Sequence, residues 1–262
     1  MRLKAVCEVT VSVTEPCPTV AMLRPSSGMA QWLVSEIYGF EPHLRSTEHM
    51  DGHGNLCQRF VVPPGQQQIR VEVVMDVEDE IAVMPDAPRT PADQIPADVL
   101  QFMLPSRYCP SDKLCEKAQE VAADAVPGYA QVEAIRAWIN QHTTYRYGVS
   151  DASTDACDTL AEGAGVCRDF AHIGIALCRA LQIPARMVVG YLHGLDPMDQ
   201  HAWFEAYVGG RWYTFDATQQ QPRGGRIVLA YGRDAADVAF LTNYGSMTTE
   251  SMKVSVEACE PA

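Results

Sequence analysis

The sequence predicts an α+β protein in which an antiparallel β-sandwich comes first and a region of helices with a β-hairpin follows. Three observations carry this expectation: apolar and polar residues alternate near the N-terminus, apolar residues recur at helical spacing through the middle, and two strand-like runs are joined by Gly209-Gly210. A chain of 262 residues, 47% of them hydrophobic, is long enough for one large or two modest domains, each with a buried core.

The elements follow in order. Leu3, Ala5, Cys7, Val9, Val11 and Val13 fall on one side of a half-buried strand. Shorter strands are expected over Thr19 to Leu23, Arg59 to Val62 and Ile69 to Val77, punctuated by Pro25-Ser26-Ser27-Gly28, Asp51-Gly52-His53-Gly54 and Pro63-Pro64-Gly65. Residues 1–82 are therefore read as the sandwich domain. From 83 to 110 the chain is rich in proline, as in Met84-Pro85-Asp86-Ala87-Pro88-Arg89-Thr90-Pro91, and is read as a linker draped over the surface. Residues 111–262 form the second domain. Ser111 can cap a helix to Ala125, and a helix from Tyr129 to His142 puts Val132, Ile135, Trp138 and Ile139 on one stripe. A further helix beginning near Cys167 aligns Phe170, Ile173, Leu177, Ala180 and Leu181 and is stopped by Pro184. Strands are expected at Ala185 to Tyr191, His201 to Val208, Arg211 to Ala217, Arg226 to Tyr231 and Met252 to Val256.

Two of these elements carry chemistry. Gly163-Ala164-Gly165-Val166-Cys167-Arg168-Asp169 places a thiol where a glycine-rich turn opens a helix. Unpaired N–H groups and the positive end of the helix dipole favour thiolate there, and the Cys167 N–H is suited to hold an oxyanion. In the hairpin, a two-residue turn sets Val208 opposite Arg211, so Trp203 faces Asp216 and His201 faces Thr218. His201 and Asp216 are then diagonal neighbours on one face, about 7–8 Å apart at the backbone and within side-chain reach. A thiol nucleophile needs an imidazole to take its proton, and that imidazole needs a carboxylate to fix its orientation.

The remaining polar and aromatic residues nearby have plainer readings. Asp169 lies in the first helical turn and complements the dipole. His172 points about 140° around the helix from Cys167 and belongs to the core or to a supporting layer. His193 is a rival base without a carboxylate set by any turn. Trp203 and Trp212 are hairpin packing, with Trp203 on the active face as a candidate cleft wall, and Glu205 is a solvated or ion-paired neighbour. Cys7, Cys57, Cys157 and Cys178 are packing residues.

Gly165-Val166-Cys167-Arg168-Asp169-Phe170-Ala171-His172, then His201-Ala202-Trp203-Phe204-Glu205-Ala206-Tyr207-Val208, then Arg211-Trp212-Tyr213-Thr214-Phe215-Asp216-Ala217-Thr218 resemble the catalytic core of bacterial transglutaminase-like proteins. The resemblance is strong over about residues 128 to 220. It implies a papain-related core, a helix bundle packed on an antiparallel sheet, preceded by an N-terminal β domain. It also implies that Cys167 is the nucleophile, His201 the general base and Asp216 the residue that orients it. Such enzymes usually add a side-chain oxyanion donor upstream of the nucleophile. Trp138, Gln141, Tyr145 and Tyr147 all precede it, and Tyr147 is taken as the candidate.

A net charge of −13 argues against nucleic acid and anionic membranes as partners. No apolar run approaches the ~20 residues of a spanning helix, and Met1-Arg2-Leu3-Lys4 leads directly into a strand, so a cytoplasmic protein is expected. Nine cysteines without metal-ligand spacing fit a reducing compartment. The expected activity is thiol-dependent acyl transfer on a peptide or protein amide through a thioester, hydrolysis ahead of cross-linking, with no cofactor and no metal. Two alternatives remain beside it: a catalytically silent transglutaminase-fold binding module, and a zinc protein using Cys167, His201 and Asp216. The sequence leaves substrate, acceptor and oligomeric state open.

Overall fold

A computed structural model describes residues 1–28 and 30–259. The N-terminal strands are β1 (Arg2–Val13), β2 (Cys17–Ala21), β3 (Gln31–Glu41), β4 (Ser46–Met50), β5 (Leu56–Val62) and β6 (Gly65–Val77). Then come α1 (Cys115–Val121), α2 (Tyr129–His142), β7 (Thr144–Tyr145), α3 (Ala156–Glu162), β8 (Ala164–Gly165), α4 (Cys167–Ala180), β9 (Ala185–Leu192), β10 (His201–Val208), β11 (Arg211–Phe215), β12 (Arg226–Gly232), β13 (Leu241–Asn243) and β14 (Thr248–Ala258). The α+β expectation holds.

Two four-stranded sheets, ordered β14-β1-β6-β3 and β13-β2-β5-β4, enclose one core. The six alternating residues of β1 are all buried there, against Ile69, Val71, Val73 and Met75 from β6 and Phe60 and Val62 from β5. The last strands return to this unit. β14 pairs antiparallel with β1 from Leu3↔Ala258 to Ser12↔Thr248, and β13 pairs with β2. Residues 241–258, read from the sequence with the 111–262 region, thus complete the sheets of the N-terminal one. Alternation assigns a strand its faces, and says nothing about which distant strand fills its free edge.

Two strands have weak sequence signals for physical reasons. β3 is an edge strand whose ladder to β6 shifts register between Leu33 and Ser35, and Trp32, Val34 and Ile37 face outward, so its apolar residues do not alternate. β4, Ser46-Thr47-Glu48-His49-Met50, is almost wholly exposed. The expected helix from Ser111 is shorter than its sequence suggested: Ser111–Lys113 makes a single 3-10 turn, α1 begins at Cys115, and no side chain caps it. Segment 83–110 has two short 3-10 turns and otherwise no regular structure, yet Ile95 and Val99 bury themselves beside Tyr207.

A third sheet, β11-β10-β9-β12, is antiparallel throughout. Its edge strand β12 is covered by side chains that imitate a neighbouring strand. Gln31 accepts from the Val228 N–H (2.7 Å) and donates to its carbonyl (2.9 Å), while Asn55 does the same at Tyr231 (2.8 and 2.7 Å). These bonds satisfy groups that an open edge would leave unpaired. Tyr191, Ile227 and Leu229 extend the sandwich core into this sheet, so the two units share apolar packing.

α4 lies across the sheet. Every residue from Asp169 to Arg179 is buried, so it is a central helix whose surroundings are protein on all sides. Its closest approach is at Gly174, where an added Cβ would lie 2.4 Å from the Phe204 ring of β10. Near its C-terminal end, Arg179 spends five donor contacts on the carbonyls of Leu104, Ala185 and Arg233 and the Ser106 hydroxyl, which ties segments from both before and after the helix to it. Gly174→Ala is expected to destabilise the protein by about 1–3 kcal/mol in urea unfolding through forced separation of α4 and β10. An unchanged midpoint would mean that the helix is free to move away from the sheet.

Candidate active site

The approach to Cys167 is built from short elements. β7 and β8 form a two-residue parallel ladder, Thr144↔Ala164 and Tyr145↔Gly165, and Gly163 takes a left-handed conformation (φ 67°) to end α3. Val166 is extended (φ −109°, ψ −179°), and the chain enters α4 at Cys167. Asp169 then folds back on the helix start. Its Oδ2 accepts from the Val166 N–H at 2.9 Å and the Ser150 hydroxyl at 2.6 Å, and Arg168 holds Oδ1. This arrangement is the structural role expected for a carboxylate in the first turn. Gly165 is required by proximity, since a Cβ there would meet the Asp169 Cβ at 2.7 Å.

The hairpin has the register that its turn dictates. Val208↔Arg211 through Phe204↔Phe215 are paired, and Gly209 and Gly210 take φ of 57° and 82°, as a mirror-image turn requires. The ladder ends at Phe215. Asp216 leaves the strand in a turn in which Thr218 donates to Oδ1 through both its N–H (3.1 Å) and its hydroxyl (2.7 Å). His201, the first residue of β10, donates from Nε2 to Asp216 Oδ2 at 2.7 Å, with His201 2% and Asp216 5% exposed. Nδ1 is the ring nitrogen not committed to Asp216, and the Cys167 side chain is near enough to bear on the charge of the ring.

Burial opposes a charge on His201, but the Asp216 carboxylate and the hydrogen bonds to Asp216 and Cys167 outweigh it, and the imidazole pKa is raised from 6.5 to about 9. Burial likewise opposes ionisation of Asp216. Here the charges of His201 and Arg226, with hydrogen bonds from His201 and Thr218, hold the carboxyl well below the usual range. An imidazolium beside an ionised carboxylate can stabilise a thiolate at Cys167.

A sequence model described as the transglutaminase-like superfamily matches residues 116–217, a span that contains all three of these side chains. A solved structure from Cytophaga hutchinsonii, described as an inferred cysteine protease, is 34% identical and has a TM-score of 0.94, covering 100% of this chain and 92% of that one. The chain belongs to the transglutaminase-like superfamily. An uncharacterised protein of Mycobacterium leprae is 27% identical over 253 residues, 90% of each chain. One from Mycobacterium tuberculosis is 29% identical, covering 89% of this chain and 83% of its own.

In this transglutaminase-like site, the tyrosine next to the nucleophile is Tyr145. Tyr145 pairs with Gly165, two residues before Cys167, and its ring lies 5.9 Å from that of Phe170 in the first turn of α4; burial and negative charge on Cys167 drive its hydroxyl pKa far up. Tyr147 packs edge-on against it at 5.5 Å and is 58% exposed. Trp138 stacks on His142 instead. Trp203 is 1% exposed, with its ring 6.0 Å from His201 and the Arg226 guanidinium over it at 4.8 Å, and it borders a small cavity with Glu205, Thr214 and Arg226.

His193 lines a separate cavity with Met1, Asp79 and Arg223, away from Asp216. His172 is fully buried, stacks on Tyr108 and accepts from the Ala235 N–H, with its pKa lowered to about 4 by burial. Glu205 pairs with Arg186 at 2.6 Å. Cys7, Cys57 and Cys178 are buried and Cys157 is half-buried. Among the described residues no three His, Cys, Asp or Glu side chains are grouped as a metal site, and no helix is long and apolar enough to cross a membrane.

The residue that sequence reading missed is Arg226, which donates to Asp216 Oδ2 at 2.9 Å. The raised His201 pKa has a stability consequence. Its contribution is complete below pH 6.5 and is lost as pH rises through about 9. The unfolding free energy of wild type minus that of His201→Gln is therefore expected to shrink between pH 6 and pH 10 in chemical denaturation. A difference that stays flat across that window would refute the assignment.

Proposed function

We propose that the protein is a thiol-dependent acyl-transfer enzyme acting on a peptide or protein amide, with Cys167 as nucleophile, His201 as general base and acid, and Asp216 as the group that orients His201. The observation that carries this reading is the buried 2.7 Å His201–Asp216 hydrogen bond, which commits Nε2 and leaves Nδ1 free to take the proton of the thiol at the start of α4. His201 takes the thiol proton, and the Cys167 sulfur attacks the amide carbonyl. The oxyanion accepts from the Cys167 N–H and from the Tyr145 hydroxyl, which assigns to Tyr145 the part first given to Tyr147. His201 then gives its proton to the departing amine, a thioester remains on Cys167, and an acceptor resolves it.

Water is the favoured acceptor. Tyr145 and Tyr147 are 43% and 58% exposed, and a mouth this open does not exclude water from the thioester, whereas cross-linking to a second amine demands that it be excluded. The nine free thiols suit a reducing compartment, and this reading sets the protein in the cytoplasm.

Incubation with a library of peptide amides, followed by acid quench and mass spectrometry, is expected to reveal an acyl adduct on Cys167 in the wild type and none in Cys167→Ala. Iodoacetamide should alkylate Cys167 faster in the wild type at neutral pH than in His201→Gln, because the imidazole takes the thiol proton. A Cys167 that reacts only as an ordinary thiol would end the enzymatic reading in favour of a silent binding module. Tyr145→Phe is expected to lower kcat about 10²–10³-fold with KM little changed, and Tyr147→Phe far less, in steady-state assays on any peptide amide so identified.

A further inference from the structure

We infer that Arg226 is a positioning residue of this site, one that sets how firmly His201 holds its proton through the carboxylate oxygen the two side chains share. The inference rests on the proposed roles of His201 and Asp216 and adds a fourth member to them.

Arg226 opens β12, opposite Leu192 of β9, and is 8% exposed. Its Nη2 donates to Asp216 Oδ2 at 2.9 Å, the same oxygen that accepts from His201 Nε2 at 2.7 Å; Oδ1 is already occupied by Thr218. Two further contacts fix the guanidinium. Its Nε donates to the Arg223 carbonyl at 3.0 Å, and its plane lies over the Trp203 ring at 4.8 Å. Trp203 in turn leans against His201, so one aromatic ring supports both cationic partners of the carboxylate.

The surrounding charges leave this role to Arg226. Glu133 and Arg136 of α2 border the small cavity that Asp216 and Arg226 share, but they pair with each other at 2.7 Å. Glu205 of β10 borders the cavity on the Trp203 side and is neutralised by Arg186. Glu78 stands at that same cavity, outside the hydrogen-bonding shell of Asp216. Among the described residues, His201 and Arg226 are the cations that hydrogen-bond Asp216.

A buried carboxylate with only an imidazole for company would bind the imidazolium so tightly that the proton would be slow to leave for the amine. A permanent positive charge on the same oxygen draws off part of that attraction and repels the imidazolium directly. The carboxylate stays ionised and aimed, while the imidazole is kept within reach of a proton it can both take and give.

The test is a titration of His201 by ¹⁵N NMR in the Cys167→Ala protein, so the reading does not depend on turnover. Arg226→Gln is expected to move the His201 midpoint upward by about one pH unit, and Arg226→Lys, which keeps the charge, to restore most of the difference. Should the glutamine variant fail to fold, the neutral isostere citrulline introduced at position 226 reports the same quantity with shape preserved. In the Cys167-containing protein, the alkaline limb of alkylation should move with the midpoint. A His201 midpoint that stays put when the charge at 226 is removed overturns the inference and leaves Arg226 as packing. An unreactive Cys167 alongside a shifted His201 would instead sink the enzymatic reading and spare this one.

Discussion

The position of the Cys167 sulfur relative to the His201 ring is decided by one contact, the seating of α4 on β10. Gly174 lets the helix approach until its backbone meets the Phe204 ring, and the buried helix has protein on every side to keep it there. With the helix so fixed, Cys167 at its start is near enough to His201 to bear on the charge of the ring. No residue of the polar site creates that geometry. It is created by apolar packing some two helical turns away, as an effective nucleophile–base pair needs, because hydrogen bonds between mobile partners would not hold an attack geometry.

The polar groups are then arranged in depth. Asp216 accepts from Thr218, His201 and Arg226, so a buried charge is fully hydrogen-bonded and twice countered. Such a group resists reorganisation, and its field is felt by the imidazole without screening by water. Asp169 performs a quieter version of the same service at the helix start, where it ties down Val166 and Ser150.

What could be read in the sequence follows from the range of the interactions involved. The hairpin register was legible because two glycines fix it locally, and with it the meeting of His201 and Asp216. The helix start at Cys167 and the β1 alternation were legible for the same reason. Tyr145 was hidden because a two-residue parallel ladder between β7 and β8 leaves no periodic trace, so nothing distinguished it from Tyr147. Arg226 was hidden because the pairing of β12 with β9 spans more than thirty residues and shifts register between Val228 and Ala230. That Trp203 would lie beneath a guanidinium, rather than against solvent, depended on the same unreadable pairing.

The pairing of β14 with β1 has its own consequence for biogenesis. β1 is an interior strand, flanked by β6 on one side and by residues 248–258 on the other. As the chain emerges from the ribosome, β1 and β6 can join early, but the opposite edge of β1 stays bare until residue 258 is synthesised. That interval exposes a twelve-residue apolar-alternating edge to any strand in the vicinity, which makes premature translation arrest a route to aggregation for this fold and places a demand on chaperones that the finished molecule no longer makes.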